Sequence, residues 1–300
     1  KPETAKRVLD AARDLGFDRR LPTLYRQGLR FEVVLGRRNP SLCMRISDAI
    51  QQSSQMYEDV VIQRTFLDEN RPEAIAEAIT KSRSNALVIF GQDHELIVEA
   101  IAEATAAGKP IVTILSDVPT APRFRYVGIN HYRAGRSAAF FLSRMGQRGR
   151  LLLVSSSLQY RSQAERISGC QDGIRAYAGV IEETLLVEMR EGSAFFERPL
   201  DDALTREGIV AIYNVGVEHA ALGRLLAERG LSPMLVGHDL DPTSRQMLHE
   251  GSMALVIDQN PDLQIHRALG ILARRCGLDG IVTEEDPVVP FSIHIRDSIC

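Results

Sequence analysis

From Phe31 onward, short apolar runs alternate with longer stretches in which apolar residues recur at helical spacing. FEVVL (31–35) precedes a helix-like stretch at about 41–55, VVIQRTF (60–66) precedes RPEAIAEAITKS, and ALVIF (86–90) precedes HELIVEAIAEATAAG. KPIVTIL (109–115) leads to YVGIN (126–130), and YRAGRSAAFFLSRMG then carries an Ala-Gly-Ala spacing suited to close helix–sheet packing. The rhythm restarts at RLLLVSSS (150–157). TLLVEM, IVAIYN (209–214), PMLVGHD (233–239) and MALVIDQ (253–259) continue it as strands. RSQAERISGCQDGIRAYAG, EHAALGRLLAERG, TSRQMLHEG and PDLQIHRALGILARRCG are the helices of this second series, and VVPFSIHIRDSI holds a last strand pair.

Strand and helix alternating at this pitch predict parallel sheets covered by helices on both faces. The break near Gly146–Gly149 divides the pattern into two series. The expected fold class is therefore α/β, with two doubly wound parallel-sheet lobes in tandem. More strand candidates than eight argue against a single eight-stranded barrel.

The opening KPETAKRVLDAARDLGFDRR is a different object. Pro2-Glu3-Thr4 suits a helix start, Ala5, Val8, Leu9, Ala12 and Leu15 share one face, and Gly16 supplies the stop. One amphipathic helix of about three turns cannot bury that face alone. With no initiator Met, the expectation is a helix that ends something begun before Lys1.

Composition changes the picture little. At 300 residues and 44% hydrophobic the chain can bury a large core, and its length suggests two domains. No run approaches the ~20 apolar residues that span a bilayer, so no membrane segment is expected. Charge is more informative. Residues 1–30 hold eight Lys and Arg against four Asp and Glu, while the rest holds 28 against 35. A basic head on an acidic body suggests an anionic partner at the head. Cysteines at 43, 170, 276 and 300 form no CxxC pair and no cluster with His. They read as reduced thiols of a cytoplasmic protein, with no metal site.

In open α/β sheets ligands bind beyond the carboxyl ends of the strands. Those positions hold Arg37, Arg38 and Asn39, then Gln92, Asp93 and His94, then Ser116, Asp117 and Asn130. The second series offers Ser155–Ser157, Arg166 in the next helix, Asn214, His238-Asp239 and Asp258-Gln259. A carboxylate takes two adjacent hydroxyls, an amide bridges donor and acceptor, and a guanidinium forks onto vicinal oxygens. Such a set suits a polyhydroxylated molecule, although Asn, Asp and Ser also suit any turn. Asp239 and Gln259 stand out, each directly after a strongly apolar run. Arg37-Arg38 either meets an anionic group or is solvated at the cleft mouth. His238-Asp239 as an acid/base pair is disfavoured, because neighbours on a strand end point to opposite sides. No GxxxxGK[ST], GxGxxG after a strand, HExxH or GxSxG is present, so neither an enzyme nor a cofactor is expected.

The residues also carry a resemblance. KPETAKRVLDAARDLGF, YVGINHYRAGRSAAFFL, ERISGC with its Arg-x-x-Gly pattern, VGHDLDP and VIDQNP together resemble the lactose-repressor family of bacterial transcription regulators. More distantly, the chain is similar to the periplasmic sugar-binding proteins that share the two-lobed fold. The resemblance implies that residues 1–28 are the tail of a helix-turn-helix headpiece and a hinge segment, DRRLPTLYRQGLR. It implies an N-terminal lobe of 29–148 plus 260–279 and a C-terminal lobe of 149–258 plus 282–300, joined by three crossovers. Ligand roles fall on Asn39, Asp117 or its neighbour Ser116, Arg166, Asn214, Asp239 and Gln259; Asp93 joins them from the strand-end positions. Ser41 and Leu42 stand where relatives often have aromatic residues, leaving Tyr132, Tyr160 and Tyr213 as alternatives for stacking. The implied function is a sensor body for a small carbohydrate or polyol effector, a homodimer that meets operator DNA only through the headpiece. A transport receptor for sugar is the alternative.

Overall fold

The computed structural model describes residues 28–36, 40–57, 60–145, 147–189, 198–278 and 287–299. The expected opening helix, the expected hinge segment up to residue 27, and Arg37, Arg38 and Asn39 lie outside the described residues, whereas the end of that segment, Leu29 and Arg30, begins the first strand.

The first sheet contains β1 (Leu29–Gly36), β2 (Val60–Leu67), β3 (Ala86–Ile89), β4 (Ile111–Ile114) and β5 (Arg125–Val127), all parallel, in the order β2-β1-β3-β4-β5. The second contains β6 (Gly149–Ser155), β7 (Ile181–Glu188), β8 (Ile209–Asn214), β9 (Met234–His238), β10 (Leu255–Asp258) and β11 (Ser292–His294). Its order is β11-β10-β9-β8-β6-β7, and only β11 runs antiparallel. Both sheets are thus built alike, reversing direction between β1 and β3 and again between β6 and β8. Doubly wound sheets open a crevice at such a reversal.

Strands such as ALVI and IVTI are buried on both faces because helices cover both. In lobe one, α2 (Pro72–Lys81) and α3 (Glu95–Ala106) place Ile75, Ile79, Ile97 and Ile101 against Val34, Leu87 and Ile89. On the other face α1 (Pro40–Ser54) and α9 (Pro261–Arg275) set Ile46, Ile50, Ile265 and Leu269 against Phe31, Val33 and Val88. In lobe two, α6 (Arg198–Leu204), α7 (His219–Glu228) and α8 (Pro242–Glu250) cover Leu152, Val154 and Ile212. The opposite face, Leu151, Leu153 and Ala211, lies under α4 (His131–Met145) and α5 (Arg161–Tyr177).

The placement of α4 departs from the sequence division at 148. Its small residues receive α5: a Cβ on Gly135 would lie 2.0 Å from the Arg166 carbonyl oxygen, and one on Gly169 would lie 2.0 Å from that of Tyr132. The helix therefore groups with lobe two, and the Ala-Gly-Ala spacing serves a helix–helix contact as well as the sheet. The break in rhythm near residue 146 marks the end of a helix, not the passage between lobes.

Among the described residues that passage occurs three times, at 128–131, at 258–261 and at 287–292. Gly128 pairs with Val288 as an isolated parallel bridge, with Gly128 N–H donating to Pro287 at 3.1 Å and Val289 N–H to Gly128 at 2.9 Å. The expected terminal strand pair is thus one strand, β11, and one bridge.

Candidate functional site

A cavity of about 80 Å³ lies between the lobes where the two reversals face each other. Leu35, Gly36 and Phe90 bring the ends of β1 and β3 to it, and Ser156 and Asn214 bring those of β6 and β8. α1 contributes Leu42, Cys43 and Ile46, and α5 contributes Ser162, Gln163 and Arg166. Tyr160, Glu69, Glu218, His219, His238, Asp239 and Gln259 complete the polar part of the lining.

Arg166 is the organising group. It is 4% exposed; its Nε donates to His131 Nδ1 at 3.2 Å, Nη1 to the Val215 carbonyl at 2.8 Å and Nη2 to Gln259 Oε1 at 3.2 Å. Gln259 turns its other end to Asp239, donating from Nε2 to Oδ1 at 2.7 Å. The amide is thereby fixed in one orientation, oxygen to the cation and nitrogen to the carboxylate. Burial lowers the Arg166 pKa and raises that of Asp239, and each charge partly offsets the shift of the other. Neither charge is at home without its counterpart.

The arrangement continues into the hinge. Because His131 Nδ1 accepts from Arg166, its proton sits on Nε2, which faces the Leu115 carbonyl at 2.8 Å and the Tyr126 hydroxyl at 2.9 Å. Burial, then Arg166, depress the His131 pKa well below the ordinary range, so the ring is neutral. Gln264 on α9 accepts from Leu115 N–H at 2.8 Å and donates to the Gln259 carbonyl at 2.8 Å. Leu115 has φ of 62°, Asp239 of 67° and Asn260 of 52°. These left-handed backbones cost about 1–3 kcal/mol each for residues other than Gly. They persist because their own polar groups are held from several sides.

Four of the expected site residues meet the cavity: Arg166, Asn214, Asp239 and Gln259. Asn214 also shapes its own loop, accepting from Val217 N–H at 2.8 Å and donating to the Val217 carbonyl at 2.8 Å. Three do not meet it. Asp117 faces away, its carboxylate bound by Thr113, by Val118 N–H and by Arg123, which grips it through Nε and Nη2 at 2.5 Å each. Asp93 accepts from Thr120 at 2.5 Å. Ser116 is fully buried and accepts from Ser162 N–H at 3.2 Å, tying lobe one to the start of α5. The strand-end rule fails for these three because other donors, near in sequence for Asp117 and distant for Asp93 and Ser116, claim the side chains first. Asn39 lies outside the described residues.

Glu69 was not anticipated. It follows β2, is 5% exposed, and accepts from the Tyr160 hydroxyl across the cleft. Gly36 makes room for it: a Cβ there would fall 1.9 Å from Glu69 Cγ. Tyr160 stacks on Phe90 with centroids 5.3 Å apart and planes at 21°, forming the cavity's aromatic wall. Tyr213 lies behind His238, their side chains 2.6 Å apart, and Tyr132 bonds Asp172 on the exposed side of α4. Gln163 is the second omission; it fastens the Ser155–Ser157 turn through Ser155 Oγ at 2.8 Å, Ser156 N–H at 2.9 Å and Ser156 Oγ at 2.7 Å. The sequence signal for Glu69 is its place just after β2, at the carboxyl end of a first-lobe strand. His238 Nδ1 is buried without a hydrogen-bond partner in the structure. His238 and Asp239 have different partners and form no acid/base pair. Among the described residues no group of His, Cys, Asp and Glu could hold a metal ion, and no helix is long and apolar enough to cross a membrane.

The cleft thus lies between two lobes of one topology, spanned by three crossings. The family profile described as periplasmic binding protein domain matches residues 33–277. The chain belongs to that family. Solved periplasmic-binding-protein folds similar to it include a protein described as a LacI transcriptional regulator from Bacteroides fragilis, 17% identical, with TM-score 0.78 over 90% of this chain and 97% of that one. A glucose-galactose binding protein from Geobacillus stearothermophilus is 19% identical, with TM-score 0.74 over 91% and 99%. A solute binding protein from Burkholderia graminis C4D1M, in complex with D-arabinose, is 16% identical, with TM-score 0.74 over 91% and 96%. Likeness at this identity establishes the shared fold. No curated protein sequence matches the chain.

Proposed function

We propose that this periplasmic-binding-protein domain is the sensor body of a LacI-type transcriptional regulator, taking a small sugar or polyol between its lobes. The observation that carries the ligand class is the Arg166–Gln259–Asp239 chain at the cavity. A guanidinium, an amide and a carboxylate in one line can give and take hydrogen bonds with successive hydroxyls. Phe90 and Tyr160 offer an apolar face beside them. Neighbours of the same fold whose names record sugars support the class, and binding without catalysis agrees with the absence of a recognisable catalytic motif in the sequence.

The regulator reading rests on the opening KPETAKRVLDAARDLGF and on the structural likeness to the Bacteroides fragilis protein. Ligand would favour one arrangement of the lobes, and within a cytoplasmic homodimer that change would reach operator DNA through a headpiece. The sugar-transport receptor remains the second reading, because receptors share the fold equally well.

A thermal melt against D-arabinose, D-allose, D-glucose, D-galactose and a set of polyols tests the ligand class. A sugar at ~100 times its dissociation constant adds ~2.7 kcal/mol to the folded state. A shift of several degrees from one chemical class supports the reading, and no shift from any of them refutes it. Operator selection with the chain carrying its native upstream sequence separates regulator from receptor.

A further inference from the structure

Arg45 lies on α1 beside Leu42, Cys43 and Ile46, yet it does not line the cavity. Its guanidinium points to the hinge. Nη1 lies 3.1 Å from both carboxylate oxygens of Asp258 and 3.3 Å from the Leu240 carbonyl, and Nη2 donates to Asp262 at 2.6 Å. These acceptors belong to different bodies. Asp258 ends β10 at the second crossing, Asp262 opens α9 on lobe one, and Leu240 is in the loop after β9 on lobe two. Two of them are also sequence neighbours of cavity residues, Leu240 of Asp239 and Asp258 of Gln259.

We propose that Arg45 is a positioning residue: a strap across the hinge that holds the lobes together and sets Asp239 and Gln259 for the ligand. The reason is reach. Arg45 moves with α1, which is packed on α9 and the lobe-one sheet, whereas Leu240 moves with lobe two. Opening the cleft draws the Leu240 carbonyl away from the guanidinium and loosens its grip on Asp258. The side chain is 25% exposed and Asp262 54%, so part of the strap faces solvent, where salt screens it. Lysine, with one compact ammonium in place of a planar fork, cannot put one nitrogen on Asp258 and Leu240 and a second on Asp262.

The test is small-angle X-ray scattering of the chain without added sugar, at 50 mM and 1 M NaCl, for the wild type, Arg45→Ala, Arg45→Lys and Asp258→Asn. The wild type is expected to have the smallest radius of gyration at low salt and to expand at high salt. Arg45→Ala should be expanded at both and insensitive to salt, with Arg45→Lys in between. Superimposable curves for wild type and Arg45→Ala at both salts overturn the proposal. If Arg45→Ala fails to fold, Asp258→Asn, which loosens the grip at the crossing itself, decides: an unchanged radius and unchanged salt response overturn it equally. The strap bears on affinity only if the cleft is the ligand site, as proposed above. There, Arg45→Ala should weaken by about tenfold whichever sugar shifts the wild-type melt, because fewer molecules are poised to bind. A wild type that binds none of the sugars refutes the ligand class while the scattering still reads the strap.

Discussion

Arg166 and Asp239 never touch, yet the geometry predicts that they behave as one unit. Replacing Arg166 by Met removes three hydrogen bonds from a buried cation and leaves the Asp239 carboxylate facing an amide that has lost its own anchor. Breaking a buried charge pair by removing one partner costs about 3–5 kcal/mol. At ~2–4 °C per kcal/mol for a large domain, the melting temperature should fall by about 6–20 °C. Asp239→Asn is milder. Asparagine keeps an acceptor oxygen for Gln259 Nε2 but leaves the buried Arg166 cation without its countercharge, so alone it should cost about 1–3 kcal/mol. In the Arg166→Met background the same change removes the stranded carboxylate and should restore part of the loss, on the order of 1–2 kcal/mol. Urea titration of the four proteins gives the coupling directly. If the two single effects add to within ~0.5 kcal/mol, the linkage through Gln259 is not energetic and the site reading loses its centre. Sugar affinity should fall in both single variants, because each removes a group that lines the proposed ligand cleft.

His131 and His238 both have pKa values depressed well below 6.5 by burial first and then by Arg166, so the unfolded chain takes up protons that the folded chain refuses. Stability should therefore fall as pH drops below about 6.5, by ~1.4 kcal/mol per pH unit for each ring, with His131→Gln removing about half the slope in melts from pH 7 to 5.5. Asp239, raised in the fold, acts in the opposite sense: its contribution is present at low pH and lost as pH rises through its folded value. Gly169→Ala should separate α4 from α5, lowering stability in denaturant titration by about 1–3 kcal/mol or more, because backbone carbonyl lies where the methyl would go. Gly36→Ala and Tyr160→Phe should each unseat Glu69 from the cleft. Calorimetric titration with the active sugar is expected to show weaker binding in both, with the fold retained in Tyr160→Phe.

Much of the architecture was legible because parallel strands buried on both faces leave a near-continuous apolar trace, and helices between them leave a periodic one. Where lobes exchange the chain left no such trace. The passage at 128–131 is written as a strand running into a helix, and it is tertiary packing, the fit of Gly135 and Gly169 against facing backbone above all, that places α4 with lobe two. The site divides along the same line. Asp239 and Gln259 follow strongly apolar strands and do meet the cavity, since a strand end at the sheet's crevice aims its next residues there. Asp93, Asp117 and Ser116 satisfy the same rule in sequence and fail it in space, because Thr120, Arg123 and Ser162 N–H reach them first. Competition for a side chain is a tertiary property, and no spacing encodes it. Glu69 shows the converse. Nothing in FLDEN sets that carboxylate apart from the acid before it; what selects it is a glycine 33 positions earlier and a tyrosine from the other lobe. A cleft residue of that kind becomes readable only when both lobes are in place, and for the same reason its mutation should report on lobe closure as well as on ligand contact.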